Sequence, residues 1–194
     1  MPYIEEIINT INTELKTNSF VDVRFAGSKY YGISEQTFVE GNRYPSIQKK
    51  DGNIEAIAID DSLPFTLWHR VDSITHGHDA GNGGYGDKDL QRLATIEAQC
   101  ICVVNRIKTK LNPNQFASLF VEGLPLRFTS QQAKNLELAR VIVEAVSSNL
   151  QSRPVYDAEF SQKYQLNAEV YMLAVRYRIE TSYTHGCLNI CSCD

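Results

Sequence analysis

Two short clusters in this chain hold the residue types that ligate metals. His76-Gly77-His78-Asp79 places two imidazoles beside a carboxylate, and His185, Cys187, Cys191 and Cys193 place an imidazole among three thiols. Imidazole, carboxylate and thiolate are the usual zinc donors, and soft thiolates also suit copper. Neither cluster has the pattern of a built site. The first stands beside a run of glycines with no neighbouring residues to hold it rigid, and the second lacks the paired Cys-x-x-Cys or Cys/His elements of a zinc knuckle. The simpler readings are polar loop residues for the first and a flexible terminal tail with reduced thiols for the second. No cofactor is expected.

Other chemistries find less. The glycine-rich stretch contains no Gly-x-x-x-x-Gly-Lys-Ser/Thr, and no helix follows it to present its N-terminus to a phosphate. No Gly-x-Ser-x-Gly elbow or comparable Cys motif supplies a nucleophile. Asp60-Asp61 and Glu5-Glu6 are adjacent pairs, which point apart rather than flanking a bond. His69, next to Trp68 in a strand-like run, reads as a half-buried packing residue. Cys100 and Cys102 fall on one strand face and read as small buried hydrophobes rather than a disulfide. The chain is not expected to be an enzyme.

Composition narrows the class further. With 194 residues and a formal net charge of −4, a single domain over 1–194 is expected, and a sequence-specific duplex binder with a basic face is not. The N-terminal residues show no basic and apolar signal pattern, and no apolar run approaches the ~20 residues that would span a bilayer. No membrane partner is expected.

The elements that must position these residues follow from periodicity. Ile4, Ile7, Ile8, Ile11 and Leu15 predict a helix over 3–17. Val21, Val23 and Phe25 alternate with Asp22 and Arg24 and predict a strand over 20–26. Residues 27–53 give no clear pattern beyond the Asp51-Gly52 turn signal. A short strand is expected over 54–59, then two long arms, 65–75 and 90–105, forming a hairpin of about 65–105. The second arm would reach about 40 Å at ~3.3 Å per residue. Asn112-Pro113 opens a short helix ending near Gly123. Residues 130–150 fit a helix or a strand and are read as helix to about 137 and strand after it; one or two helical turns fall within 152–160, and a closing strand runs over 168–181 with Tyr171, Leu173, Val175, Tyr177 and Ile179 on one face. The C-terminal tail is placed at 182–194. The fold class is α+β: a mostly antiparallel sheet of five or six strands, two or three helices on one face, and a long protruding β-hairpin.

The residues between the two arms cannot form a core of their own. His76, Gly77, His78, Asp79, Asn82, Tyr85, Asp87 and Lys88 therefore read as a contact loop that orders against other subunits. This order of elements, with the closing strand Ala168–Glu180 and the strand–turn–helix pattern of Val141–Phe160, resembles the neck proteins of tailed bacteriophages: tail terminators, head–tail joining proteins and neck ring proteins. The resemblance implies a structural virion protein that forms a hexameric or dodecameric ring. Such a ring would sit in the neck with the portal or other neck rings and tail proteins as partners. DNA would pass through the bore without specific binding, and assembly would take place in the bacterial host cytoplasm. The alternative is a small soluble enzyme or ligand-binding protein in which the glycine segment is a lid.

Overall fold

The computed structural model describes residues 2–49, 52–78, 91–129, 138–147, 153–160 and 167–184. Helix α1 (Pro2–Glu14) ends in a π-turn over Leu15–Ser19, followed by a 3-10 turn, Val23–Phe25. Strands β1 (Lys29–Ile33), β2 (Glu35–Val39), β3 (Asn42–Gln48) and β4 (Ile54–Ala56) precede the long pair β5 (Phe65–His78) and β6 (Gln91–Asn105). Then come α2 (Arg106–Thr109), α3 (Pro113–Gly123), β7 (Arg127–Thr129), β8 (Leu138–Ser147), α4 (Arg153–Glu159) and β9 (Val170–Thr184). The fold is α+β. A six-stranded sheet has the order β1-β5-β6-β9-β8-β7, and a three-stranded sheet has the order β2-β3-β4. Every described pairing is antiparallel except β1 with β5.

Helix α1 forms because Ile4, Ile7, Ile8, Ile11 and Leu15 make one stripe, each at most 2% exposed. Burying each contributes about 2 kcal/mol. Helix α3 is fixed by its ends: Asn112 and Gln115 form a reciprocal capping box, with Pro113 in the first turn. Both helices pack on the sheet face made by Leu67, Ala98, Cys100, Cys102, Leu173, Val175 and Tyr177. The C-terminal end of α3 touches the π-turn, where a Cβ on Gly123 would come within 2.7 Å of Ser19 Cβ and 3.2 Å of Leu15 Cδ2. Gly123→Ala is therefore expected to destabilise the fold by roughly 2 kcal/mol through overpacking. Thermal unfolding reads this as a fall in Tm, and an unchanged Tm would show that the two turns can separate at no cost.

Two expectations are corrected. The strand over 20–26 is absent, and Val21 and Val23 lie exposed. Phe20 and Phe25 enter the same aromatic cluster with Phe65 and Phe116, at centroid distances of 5.1 Å for Phe20–Phe25 and 5.0 Å for Phe20–Phe116. The chain must reverse between them, and the Asp22 carboxylate accepts the Arg24 amide to make the turn.

Helices α1 and α3 share one sheet face, as expected. α4 packs on the opposite side with Trp68, Ile101, Val103, Met172 and residues of the small sheet. Its cover reaches only part of the way up. Below that limit β6 and β9 read as continuous apolar runs, Cys100–Val104 and Val170–Val175; above it they alternate with Glu97, Arg176, Arg178 and Glu180.

Over its described residues the hairpin is not a free-standing ribbon. β9 pairs β6 over its whole length, from Gln91↔Thr184 to Asn105↔Val170, and β8 flanks β9. The length of the arms is the height of the sheet. Of the expected tail over 182–194, residues 182–184 belong to β9 and the others lie outside the described residues.

Candidate functional site

The sequence-predicted contact loop is described only at its base. His76, Gly77 and His78 end β5 and pair with Ala94, Leu93 and Arg92. Asp79, Asn82, Tyr85, Asp87 and Lys88 lie outside the described residues, as do His185, Cys187, Cys191 and Cys193. Among the described residues no three His, Cys, Asp or Glu side chains come together as a metal site. Cys100 and Cys102 are buried free thiols with Sγ atoms 3.8 Å apart, and burial pushes the Cys100 thiol well above its ordinary value.

His69 is fully buried rather than half-buried, and it is held from both sides. Its Nε2 lies 2.8 Å from Asn12 Oδ1 and its Nδ1 lies 2.6 Å from the Tyr177 hydroxyl. The network assigns the tautomer. Asn12 Nδ2 donates to the Tyr31 carbonyl at 2.9 Å, so Oδ1 accepts from Nε2–H and Nδ1 accepts from the phenol. Burial lowers the His69 pKa to about 3 and pushes the Tyr177 phenol well above its ordinary value. All groups are neutral, so the triad ties α1, β5 and β9 together and leaves neither ring nitrogen of His69 free.

A second network sits on the other face. Glu159 of α4, with a side chain 1% exposed, receives Arg70 Nη1 on one oxygen and Trp68 Nε1 at 3.3 Å on the other. Arg70 Nε also donates to Asp72 at 2.9 Å. Burial raises the Glu159 pKa, with Arg70 and the Trp68 N–H pulling the other way. This pair clamps α4 to the sheet. Sequence reasoning missed both networks, and neither has a local signature.

The accessible feature is a sheet edge with a groove beside it. β1 covers β5 only from Thr66 to His69, because the chain turns away at Ser34, whose amide donates to the His69 carbonyl at 2.7 Å. Above that point, Arg70–His78 has a strand neighbour on one side only among the described residues. The adjoining groove, about 470 Å³, is lined by Val71 and Ile74 of β5, Ile4, Glu5 and Asn9 of α1, and residues of β1–β3 including Glu35. An unpaired edge with an apolar floor is the geometry that accepts an added strand.

No protein-family model matches this chain, and a search of curated proteins returns no match. No described helix is long and apolar enough to cross a membrane.

Proposed function

We propose that this chain is a structural subunit that assembles into a closed ring, and that the ring belongs to the neck of a tailed bacteriophage, between portal and tail. In this reading the protein is not an enzyme. Its partners are further copies of itself, in a hexamer or dodecamer, together with neighbouring neck or tail components. DNA passes through the bore without being gripped. One observation carries the proposal: the edge of β5 from Arg70 to His78 is unpaired among the described residues and borders a groove floored by Val71, Ile74 and Ile4. Such an edge is a standing template for strand addition, and monomeric proteins usually block theirs. Rings follow when contacts of this kind are heterologous and the rotation closes.

Mass photometry of the purified chain, alone and mixed with portal and tail components, tests the proposal. A discrete ring is expected, and the Val71–Gly77 amides should exchange more slowly in it than in the dissociated chain. The groove also favours a second reading as a ligand site, because Glu5, Asn9, Glu35 and Gln48 surround its apolar floor. A chain that stays monomeric under every mixture and binds a small molecule there would replace the ring reading with that one.

A further inference from the structure

The far edge of the six-stranded sheet is open as well. β7 pairs β8 only at Leu138–Arg140, and the Val141 amide donates to the Leu126 carbonyl at 3.3 Å, so cover reaches no further than Val141. From Ile142 to Ser147 the strand has β9 as its sole strand neighbour among the described residues. We infer that this stretch is a homodimer interface. It pairs antiparallel with the same stretch of a second copy, about a twofold axis between Glu144 and Ala145. The inference stands on β8 and goes beyond the ring reading, which rests on β5.

The bulge in β8 decides the occupant. Val143 pairs Tyr177 and Val146 pairs Val175 on the face that carries α1 and α3. Ile142 pairs Arg178, Ala145 pairs Arg176 and Ser147 pairs Ala174 on the other face. Glu144 is the extra residue, and its oxygen lies 3.4 Å from Arg178 Nη1, which puts it on that other face too. From Ile142 to Ser147 the faces therefore run outer, core, outer, outer, core, outer, the same from either end. A strand without a bulge alternates strictly, so two identical copies centred between residues would set opposite faces against each other. With the bulge, that register puts Ile142 opposite Ser147, Val143 opposite Val146 and Glu144 opposite Ala145, each pair on one face. A regular strand would have to leave one β8 residue unpaired, as β9 does. A second copy leaves none.

The side chains agree with the register. Val146 is 39% exposed and Val143 is half-buried, and the twofold sets each against the other on the core face. On the outer face Arg176 is exposed and in no ion pair among the described residues. Its row continues through Ala145, and the next position belongs to Glu144 of the second copy. The Ala145 side chain is too short to separate the two. Each Glu144 then lies between Arg178 of its own chain and Arg176 of the other, which offsets the approach of the two carboxylates near the axis. β8 ends at Ser147, so β7 of the second copy falls in line beyond that end. A contact that both copies make with the same surface is isologous and closes at a dimer.

Sedimentation equilibrium of the full chain tests the inference, with circular dichroism checking that each variant folds. Wild type is expected to form dimers or assemblies built from them. Val146→Lys sets a cation against Val143 at both symmetric positions and should weaken dimerisation by about tenfold or more. Oxidised Ile142→Cys/Ser147→Cys should give a disulfide-linked dimer, because directly opposite residues come within reach of an S–S bond, while either cysteine alone links no more than wild type. A folded Val146→Lys that dimerises like wild type would overturn the inference. So would a double-cysteine variant that links no better than the single ones, and this measurement decides if Val146→Lys does not fold. A wild-type chain that sediments as a monomer at every concentration would overturn it as well. Dimers linked through β8 that close into no ring under any mixture would support this inference and remove the ring reading. Rings whose subunits never cross-link through the paired cysteines would do the reverse.

Discussion

Lowering the pH from 7 to 4 is expected to strip roughly 3 kcal/mol from the fold through His69 alone. The folded pKa of His69 is lowered to about 3 by burial, against an ordinary value of 6.5. Between those values the unfolded chain binds a proton that the folded chain refuses. The stabilisation is therefore complete above pH 6.5 and falls as pH drops toward 3, by about 1.4 kcal/mol per unit. Protonation would force Nδ1 to donate to a phenol that must then turn its own proton elsewhere, inside a site where His69 and Tyr177 have no measurable exposure. Denaturant titrations at stepped pH measure the slope, and NMR follows the ring directly. The His69 resonances should stay fixed from pH 8 to pH 4. A His69 that titrates near 6 in the folded protein would refute the closed network. His69→Gln should be less stable at pH 7 and lose less on acidification.

Arg70→Ala is expected to cost about 3 kcal/mol or more at neutral pH, because it strips the buried Glu159 carboxylate of its ion-pair partner and leaves it the Trp68 N–H and the charge of Arg43. The lost ion pair matters less than the weakly compensated charge, since only the more distant Arg43 still favours the carboxylate electrostatically. The folded Glu159 pKa already stands above its ordinary 4.5, so the folded state is the one that binds the extra proton. Stability from this group is greatest below pH 4.5 and declines as pH rises through the folded value. Without Arg70 that pKa rises further, so the deficit should widen toward neutral pH and shrink in acid. The double variant Arg70→Ala/Glu159→Gln should recover most of the loss at pH 7. If the double variant were as unstable as Arg70→Ala, the damage would lie in packing rather than in charge.

Much of the scaffold is legible along the chain because its signals are local. Ile4 to Leu15 at helical spacing, the Asn112–Gln115 box, and the alternation of Tyr171 to Ile179 each state an element and the face it buries. The same logic misread Val21 and Val23, since two alternating valines are weaker than two phenylalanines drawn into one cluster. It also left 27–53 blank, where the described strands are short and half-exposed and contain Gly32 and Pro45. The paired arms were visible, but their neighbours were not: alternation gives the face of a strand and says nothing about what lies beside it. The coverage by β9 and β8, and the lapse of the β1 cover on β5 above His69, are matters of order within the sheet.

The amino-acid sequence by itself determined an α+β chain with an amphipathic first helix, two long arms and a strong last strand. Tertiary structure alone decided that His69 meets Asn12 and Tyr177 across 57 and 108 residues, and that Arg70 meets Glu159 across 89. It also decided which strand edges stay open. Periodicity records which side of an element avoids water, because that choice is made residue by residue. Partners distant in sequence are chosen by topology, which no local pattern encodes.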